Sequence, residues 1–150
     1  MCIRDRSHLY PEFAKKIKAV QLAMRIYSKN GERPVFKLIE GFRSTERQKE
    51  LYAQGRTKPG SIVTTKNGTT RKSSHQSGMA ADFAPFVNGK LEYNVSNVHW
   101  DYLGHSARAV GLKWGGDWKD LVDKPHIEWD REDAQSYAKA KLWLKENGLE

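Results

Sequence analysis

The sequence predicts an α+β fold in which a small antiparallel sheet has helices packed around it. Some segments repeat apolar residues every three or four positions, as helices do, and others are short runs rich in β-branched and aromatic residues, as strands are. The two kinds of segment are mixed without the regular alternation typical of parallel sheets. The 150 residues can bury a core of their own, so we predict one domain over residues 9–150. Residues 1–8 lack any such pattern, and we interpret them as a disordered or non-native head.

The first predicted helix begins near Pro11 and stops at Asn30-Gly31. Its apolar residues share one face because they are spaced by three or four positions: Phe13, Ile17, Val20, Met24 and Tyr27. A strand is predicted next, over Val35–Glu40, where β-branched and aromatic side chains dominate. The chain is expected to turn after this strand, at Gly41.

A second helix is predicted to begin at Ser44 or Thr45 and to end at Gly55. Thr45 and Gln48 have the spacing of a capping box, in which two side chains satisfy backbone N–H groups of the first turn. The following stretch, Arg56–Ser74, is rich in Gly, Pro, Ser, Thr, Lys and Arg, and this composition predicts a flexible loop or a loose hairpin around Asn67-Gly68.

A hairpin is predicted after this loop. Its first strand covers Met79–Val87, and Pro85 indicates an edge position or an early end because proline cannot donate a hydrogen bond to a neighbouring strand. Asn88-Gly89 predicts a tight turn, since both residues accept the positive φ angles that such a turn requires. The partner strand is expected over Lys90–Tyr93.

The rest of the chain predicts two helices and two short strands. Ser96 can cap the first of these helices. Leu112–Trp114 and His126–Trp129 have the composition of strands, separated by a turn that opens at Gly115. Asp130 is predicted to cap the final helix, which runs almost to the last residue.

Charge and cysteine content limit the classes of function. The 26 Lys and Arg residues against 18 Asp and Glu residues give a net charge of +8, which favours a polyanionic partner without choosing one. Because Cys2 is the single cysteine, neither an internal disulfide nor a cysteine-rich zinc cluster can form. No apolar run approaches the roughly 20 residues of a membrane span, so no membrane insertion is expected. The basic residues are scattered instead of forming one stripe, so no nucleic-acid partner is expected.

Two clusters contain possible metal ligands, and the first surrounds the predicted strand that follows Gly78. Asp82 shares a strand face with Ala80 and Ala84, which leaves open space above its carboxylate. His75 lies seven residues before Asp82. A bend at Gly78 would return the His75 side chain to the face that carries Asp82.

The second cluster surrounds His126, which points to the same side of its strand as Glu128 and lies three residues after Asp123. Two imidazoles and one carboxylate with an open fourth position are what a catalytic zinc ion requires, and such a site lowers the pKa of a bound water to about 7. A further carboxylate must take up the proton of that water, and Asp123 is the candidate. Arg43, at the turn after the first strand, is the candidate for donating hydrogen bonds to a developing oxyanion.

These clusters carry a resemblance to a known group of enzymes. The zinc peptidases that include lysostaphin, D-Ala-D-Ala carboxypeptidases and hedgehog domains have a similar signature, which is present here as Ser73-x-His75-x-x-Gly78-x-Ala80-x-Asp82 followed by Asp123-x-x-His126. The chain resembles more narrowly the L-alanyl-D-glutamate peptidases of bacteriophage endolysins and bacterial wall enzymes, in Gly41-Phe42-Arg43-Ser44 and Trp114-Gly115-Gly116-Asp117-Trp118.

The resemblance implies a role for each of several residues. It implies that Zn²⁺ is held by His75, Asp82 and His126. It implies that Asp123 is the general base and that Arg43 binds or polarises the substrate. Three more residues are implied to line the cleft: Gln48, Ser73 and Trp118. The implied fold is the small antiparallel sheet with helices of the hedgehog and D-Ala-D-Ala peptidases.

The expected activity is hydrolysis of the L-Ala/D-Glu bond in bacterial peptidoglycan stem peptides by a monomer. The nearest alternative is a D-Ala-D-Ala carboxypeptidase or dipeptidase with the same metal site. Iron oxygenases also use two histidines and a carboxylate, but usually with a His-x-Asp pair, and a basic binding module would keep a metal only for its shape. We expect synthesis in a host cytoplasm without a signal peptide and action on the cell wall after release, or secretion if the N-terminus is incomplete.

Overall fold

The computed structural model describes residues 8–29 and 31–149, so the head predicted for residues 1–8 lies almost wholly outside it. Within the described residues the chain forms four α-helices and five strands. They follow in the order α1 (Pro11–Ser28), β1 (Val35–Glu40), α2 (Thr45–Ala53), β2 (Ala80–Val87), β3 (Lys90–Leu91), α3 (Asn97–Ala109), β4 (Lys113–Trp114), β5 (His126–Glu128) and α4 (Ala134–Glu146). Short 3₁₀ segments cover Ser74–Ser77 and Gly115–Asp117. None of the described helices is both long and apolar enough to cross a membrane.

The strands form one antiparallel sheet in the order β1-β2-β5-β4, and β3 pairs with the far end of β2. Glu40 of β1 lies opposite Asp82 of β2, which in turn lies opposite His126 of β5. Side chains directly opposite each other in paired strands point to the same side of a sheet. The register therefore places these three polar side chains in a row across one face.

The opposite face of the sheet carries the apolar core. Ala81, Phe83 and Ile127 alternate with the polar row along their strands and are fully buried. Helix α1 packs against β1 and α3 and buries the face predicted from its periodicity: Phe13, Ile17, Val20, Met24 and Tyr27. Burial of each such side chain contributes about 1.5–3 kcal/mol. The core thus fixes the sheet from one side and leaves the polar row on the other.

The predicted turn at Asn88-Gly89 is confirmed by φ angles of 52° and 76°, and β2 pairs with β3. β3 ends at Leu91 and not at the predicted Tyr93. The prediction that Pro85 marks an edge position or an early end of the strand was wrong. β2 is a central strand that continues to Val87, with Pro85 opposite Phe36 of β1. Proline is tolerated there because β5 pairs only with the first three residues of β2 and does not reach this position.

One capping box and one helix cap differ from those predicted, while Ser44, one of the two residues expected to cap α2, does cap it. Ser44 is the N-cap of α2, and no capping box forms between Thr45 and Gln48 because the Gln48 side chain is buried in other hydrogen bonds. Asp133, and not Asp130, caps α4 by accepting a hydrogen bond from a backbone N–H of the first turn. Two aspartates stand close together before α4, so the local sequence does not single out the one that caps the helix.

Candidate metal centre

A 3₁₀ turn brings His75 back to Asp82. Ser73 caps this turn by accepting a hydrogen bond from the backbone N–H of His75 at 3.2 Å, while the Gln76 side chain accepts one from the backbone N–H of Ser73 at 2.9 Å. Gly78 then adopts a left-handed conformation with φ 68°, which turns the chain into β2. Nε2 of His75 consequently lies 3.3 Å from Oδ2 of Asp82. The bend predicted at Gly78 is confirmed.

Strand β5 contributes the third side chain of the cluster. Nδ1 of His126 lies 3.2 Å from Oδ1 of Asp82, because the strand register places the two residues opposite each other. One possible donor atom from each of His75, Asp82 and His126 lies within 4.8 Å of the other two. Both imidazoles are buried, with exposed fractions of 2% and 6%. The structure thus brings together three residues that lie far apart in the sequence.

The second nitrogen of each imidazole is occupied by an outer partner. Nδ1 of His75 donates to the carbonyl oxygen of Gly41 at 2.8 Å, and Nε2 of His126 donates to Oε1 of Glu128 at 2.7 Å. In the neutral form of each ring, these contacts leave the unprotonated nitrogen facing Asp82. Two neutral imidazoles and one carboxylate, each imidazole held by an outer acceptor, fit the donor set of a zinc site.

Asp82 and His126 shift each other's pKa. Burial by itself would raise the pKa of Asp82, but its electrostatic interaction with His75 and the hydrogen bond from His126 outweigh burial and hold that pKa well below its ordinary value. Burial by itself would lower the pKa of His126, but hydrogen bonds to Asp82 and Glu128 raise it to about 9. Without a metal, the site therefore combines an ionised carboxylate with a protonated His126 at neutral pH.

Asp123 lies at the edge of this cluster. Its backbone N–H donates to the carbonyl oxygen of Gly115 at 3.0 Å, and its own carbonyl oxygen accepts from the N–H of His126 at 3.1 Å. Burial and the negative charge of Asp82 raise the pKa of Asp123, against the opposing effect of the nearby positive groups. The Asp123 carboxyl is therefore suited to exchange a proton closer to neutral pH than an ordinary aspartate.

The guanidinium of Arg43 is held from several sides. One terminal nitrogen donates to Oε1 of Gln48 at 2.8 Å, and the other donates to Oε2 of Glu40 at 2.6 Å and lies 3.7 Å from Oδ2 of Asp82. The Nε atom of Arg43 is buried without a hydrogen-bond partner among the residues that the structure describes. Arg43 therefore lies beside the candidate ligands as a fixed positive charge.

The three residues expected along the cleft occupy different positions. Trp118 is half-buried, and its ring centre lies 5.1 Å from that of the His126 imidazole. Ser73 uses its hydroxyl to cap the 3₁₀ turn before β2. Gln48 has no exposed surface and lies behind Arg43, while its side-chain amide donates to the carbonyl oxygen of Lys66 at 2.8 Å. Any contact of Gln48 with a ligand would thus be indirect, through Arg43.

Three residues near the centre received no role from the sequence. Glu128 is two residues from His126 on the same strand face, and this His-x-Glu spacing was the available signal. Gly41 contributes only a backbone carbonyl group, for which no side-chain pattern exists. Tyr93 lies close enough that the charges of Asp82 and Asp123 add to burial in raising its pKa, and only the folded chain reveals this proximity.

The sequence of this chain is similar to those of known peptidases. A family model described as D-alanyl-D-alanine carboxypeptidase matches residues 67–129, a span that includes both candidate ligand clusters. The peptidoglycan L-alanyl-D-glutamate endopeptidase CwlK of Bacillus subtilis (strain 168) is 41% identical, across 61% of this chain and 58% of its own length. The L-alanyl-D-glutamate peptidase of Escherichia phage T5 is 28% identical, across 59% of this chain and 62% of its own length. The chain thus spans less than two thirds of either relative.

A solved structure shares the fold of this chain. The crystal structure of the L-Ala D-Glu endopeptidase ChiX of Serratia marcescens matches 89% of this chain and 92% of its own, with a TM-score of 0.59 and 23% sequence identity. This match confirms the predicted fold class. The sequence relatives confirm the resemblance to L-alanyl-D-glutamate peptidases.

Proposed function

We propose that this chain is a zinc-dependent endopeptidase that hydrolyses the L-Ala/D-Glu bond in the stem peptides of bacterial peptidoglycan. The observation that carries the proposal is the convergence of His75, Asp82 and His126, whose possible donor atoms lie within 4.8 Å of one another. The Bacillus and phage relatives, both named for this bond, support the choice of substrate.

Each polar residue of the site has a distinct task in this proposal. A zinc ion held by His75, Asp82 and His126 would supply Lewis acidity and a water of lowered pKa. Asp123 takes up the proton of the attacking water and passes it to the leaving amine nitrogen, and the raised pKa of Asp123 supports this task. Arg43 neutralises negative charge that develops on the substrate, because its guanidinium is fixed beside Asp82.

The partner of the enzyme in this proposal is the cell wall. The net charge of +8 supports attraction to an anionic wall surface. All candidate ligands and Asp123 come from one chain, which supports action as a monomer. The phage T5 relative supports an endolysin made in a host cytoplasm and released to the wall, and the Bacillus relative supports a bacterial wall enzyme.

The test is digestion of purified peptidoglycan by the full chain. We expect a chelator to abolish hydrolysis and added zinc to restore it, and we expect His75→Ala to be inactive. Asp123→Asn should lower turnover by about 10²–10⁴-fold while the protein still binds zinc, because only proton transfer is removed. Asp101→Asn, an exposed carboxylate on α3, is the matched control and should keep full activity. Hydrolysis that is indifferent to the chelator and to both site variants would refute the proposal.

A second candidate function is a D-Ala-D-Ala carboxypeptidase or dipeptidase that uses the same residues. The description of the matching family model favours it. Mass spectrometry of the digestion products separates the two activities. Cleavage of the L-Ala/D-Glu bond releases a stem fragment that begins with D-Glu, whereas carboxypeptidase or dipeptidase action releases free D-alanine.

A further inference from the structure

Among the described residues, Glu128 makes the shortest side-chain hydrogen bond to a candidate metal ligand. It lies on β5 two residues after His126, so both side chains project from the same face. Oε1 of Glu128 lies 2.7 Å from Nε2 of His126, and the other carboxylate oxygen lies 3.1 Å from Nε of Arg131. Glu128 is 5% exposed. This carboxylate is thus buried between one imidazole and one guanidinium.

The contact decides which nitrogen of His126 is free. A neutral imidazole carries one proton, and the acceptor that takes this proton determines the tautomer. With Nε2–H donated to Glu128, the lone pair lies on Nδ1, which is the nitrogen 3.2 Å from Oδ1 of Asp82. Without this acceptor, the buried ring would have an unpaired donor and would lose the contact that fixes its orientation.

The two imidazoles of the site differ in how they are held. His75 donates to the backbone carbonyl oxygen of Gly41, which remains in place when side chains are replaced. His126 donates to a side chain, and that side chain is itself held by Arg131 from the loop after β5. Of the two imidazoles, only that of His126 is therefore held by a carboxylate that a substitution can remove.

We propose that Glu128 is a positioning residue that fixes the tautomer and orientation of His126 for metal binding, with Arg131 holding Glu128 in place. This inference rests on the zinc site of the proposed function. Glu128 itself touches neither the metal nor the substrate. Its effect reaches the metal through His126, as outer carboxylates do in other histidine–metal sites.

Zinc affinity of the purified chain, measured by competition with a chromophoric chelator, tests the proposal. We expect Glu128→Ala to weaken zinc binding about 10–100-fold. Glu128→Gln keeps an acceptor oxygen without the charge, so it should recover part of this loss. Arg131→Ala should weaken binding by less than about tenfold, because Glu128 keeps its contact with His126. Asp133→Ala, which removes the α4 cap but no contact with the ligands, should lower stability and leave zinc affinity unchanged.

A second measurement reports on the tautomer directly. Nitrogen-15 NMR of the zinc-loaded wild type should show His126 protonated at Nε2, and this signal should shift or broaden in Glu128→Gln while that of His75 stays unchanged. Wild-type zinc affinity in both Glu128→Gln and Arg131→Ala, together with an unchanged His126 signal, would overturn the proposal even if Glu128→Ala failed to fold. A wild type that binds zinc tightly but does not cleave peptidoglycan would refute the proposed function and leave the role of Glu128 intact.

Discussion

At the scale of single residues, a proton on His126 competes with a metal. Hydrogen bonds to Asp82 and Glu128 overcome the effect of burial and raise the pKa of His126 to about 9. Asp82 needs no such deprotonation, since His75 and His126 hold its pKa well below the usual range although burial opposes this. A histidine must be neutral to bind a metal. Metal binding at neutral pH therefore requires the loss of a proton from His126.

We expect zinc binding at pH 7 to release about one proton. For the same reason, the apparent zinc affinity should rise about tenfold per pH unit as the pH increases towards the pKa of His126 at about 9, and should level off above it. Titration calorimetry in two buffers with different ionisation enthalpies measures the number of protons released. A binding enthalpy that is the same in both buffers would contradict this expectation.

Side chains in the site were predictable where their chemistry is local. The glycine bend and strand alternation suggested that His75 faces Asp82, whereas the full set of His75, Asp82 and His126 was implied by the resemblance to zinc peptidases. The structure brings these three side chains together. The hydrogen bond from His75 to the carbonyl oxygen of Gly41 could not be predicted, because every residue has a carbonyl group and only the folded structure shows which one lies near His75. The hydrogen bond from Arg43 to Glu40 was not predicted for a related reason, because the turn between the two residues determines whether their side chains meet.

At the scale of elements, Gly78 determines where the 3₁₀ turn ends and β2 begins. Its φ angle is 68°, a region that non-glycine residues rarely adopt, and an added Cβ would lie 3.0 Å from the backbone nitrogen of Tyr10. The same Tyr10 N–H donates to the carbonyl oxygen of Gly78 at 3.0 Å. Gly78 thus has a left-handed backbone conformation and a close backbone neighbour, and it lies in the segment that connects His75 to Asp82.

We expect Gly78→Ala to lower the free energy of unfolding by about 1–3 kcal/mol and to weaken zinc binding. Gly148→Ala is a matched control, because Gly148 has a similar φ of 70° but no atom within 4 Å of an added Cβ. Urea denaturation of both variants measures the difference. Equal destabilisation of the two variants, with zinc affinity unchanged in Gly78→Ala, would show that the close contact at Tyr10 does not matter.

Elements were predictable where one local signal was decisive. The apolar periodicity of α1 predicted a helix and Asn88-Gly89 predicted a tight turn, and both predictions were confirmed. The cap of α2 was predicted as one of two residues and is Ser44, whereas the cap predicted for α4 was wrong because two aspartates stand close together before that helix. Pro85 was misjudged because the length of its neighbouring strand cannot be seen in a local sequence pattern.

At the scale of the whole molecule, net charge is the property that should control encounter with the wall. The chain carries +8, and attraction between exposed charges is screened within about 8 Å at physiological ionic strength. We expect hydrolysis of intact wall to fall as salt is raised from low to high concentration. Hydrolysis of a short, uncharged stem-peptide analogue should change little, because it gains nothing from long-range attraction. An equal salt effect on both substrates would contradict this expectation.

The global arrangement was predictable only as a class. Mixed helices and strands indicated an antiparallel sheet, and this was confirmed. The order of the strands was not predicted, since nothing local indicates that β5, from the end of the chain, pairs with β2 and places His126 beside Asp82. The site therefore depends on long-range pairing that the sequence pattern does not reveal.

The long segment between α2 and the 3₁₀ turn has a consequence for protein engineering. Its inner part, residues 64–73, is held to the rest of the protein by hydrogen bonds. The Gln48 side chain donates to the carbonyl oxygen of Lys66, and the Gln76 side chain donates to the carbonyl oxygen of Gly68 at 3.0 Å. Its outer part, residues 55–63, is exposed throughout. An affinity tag or a foreign targeting peptide grafted into that outer part would extend into solvent, while the hydrogen bonds of the inner part would stay in place.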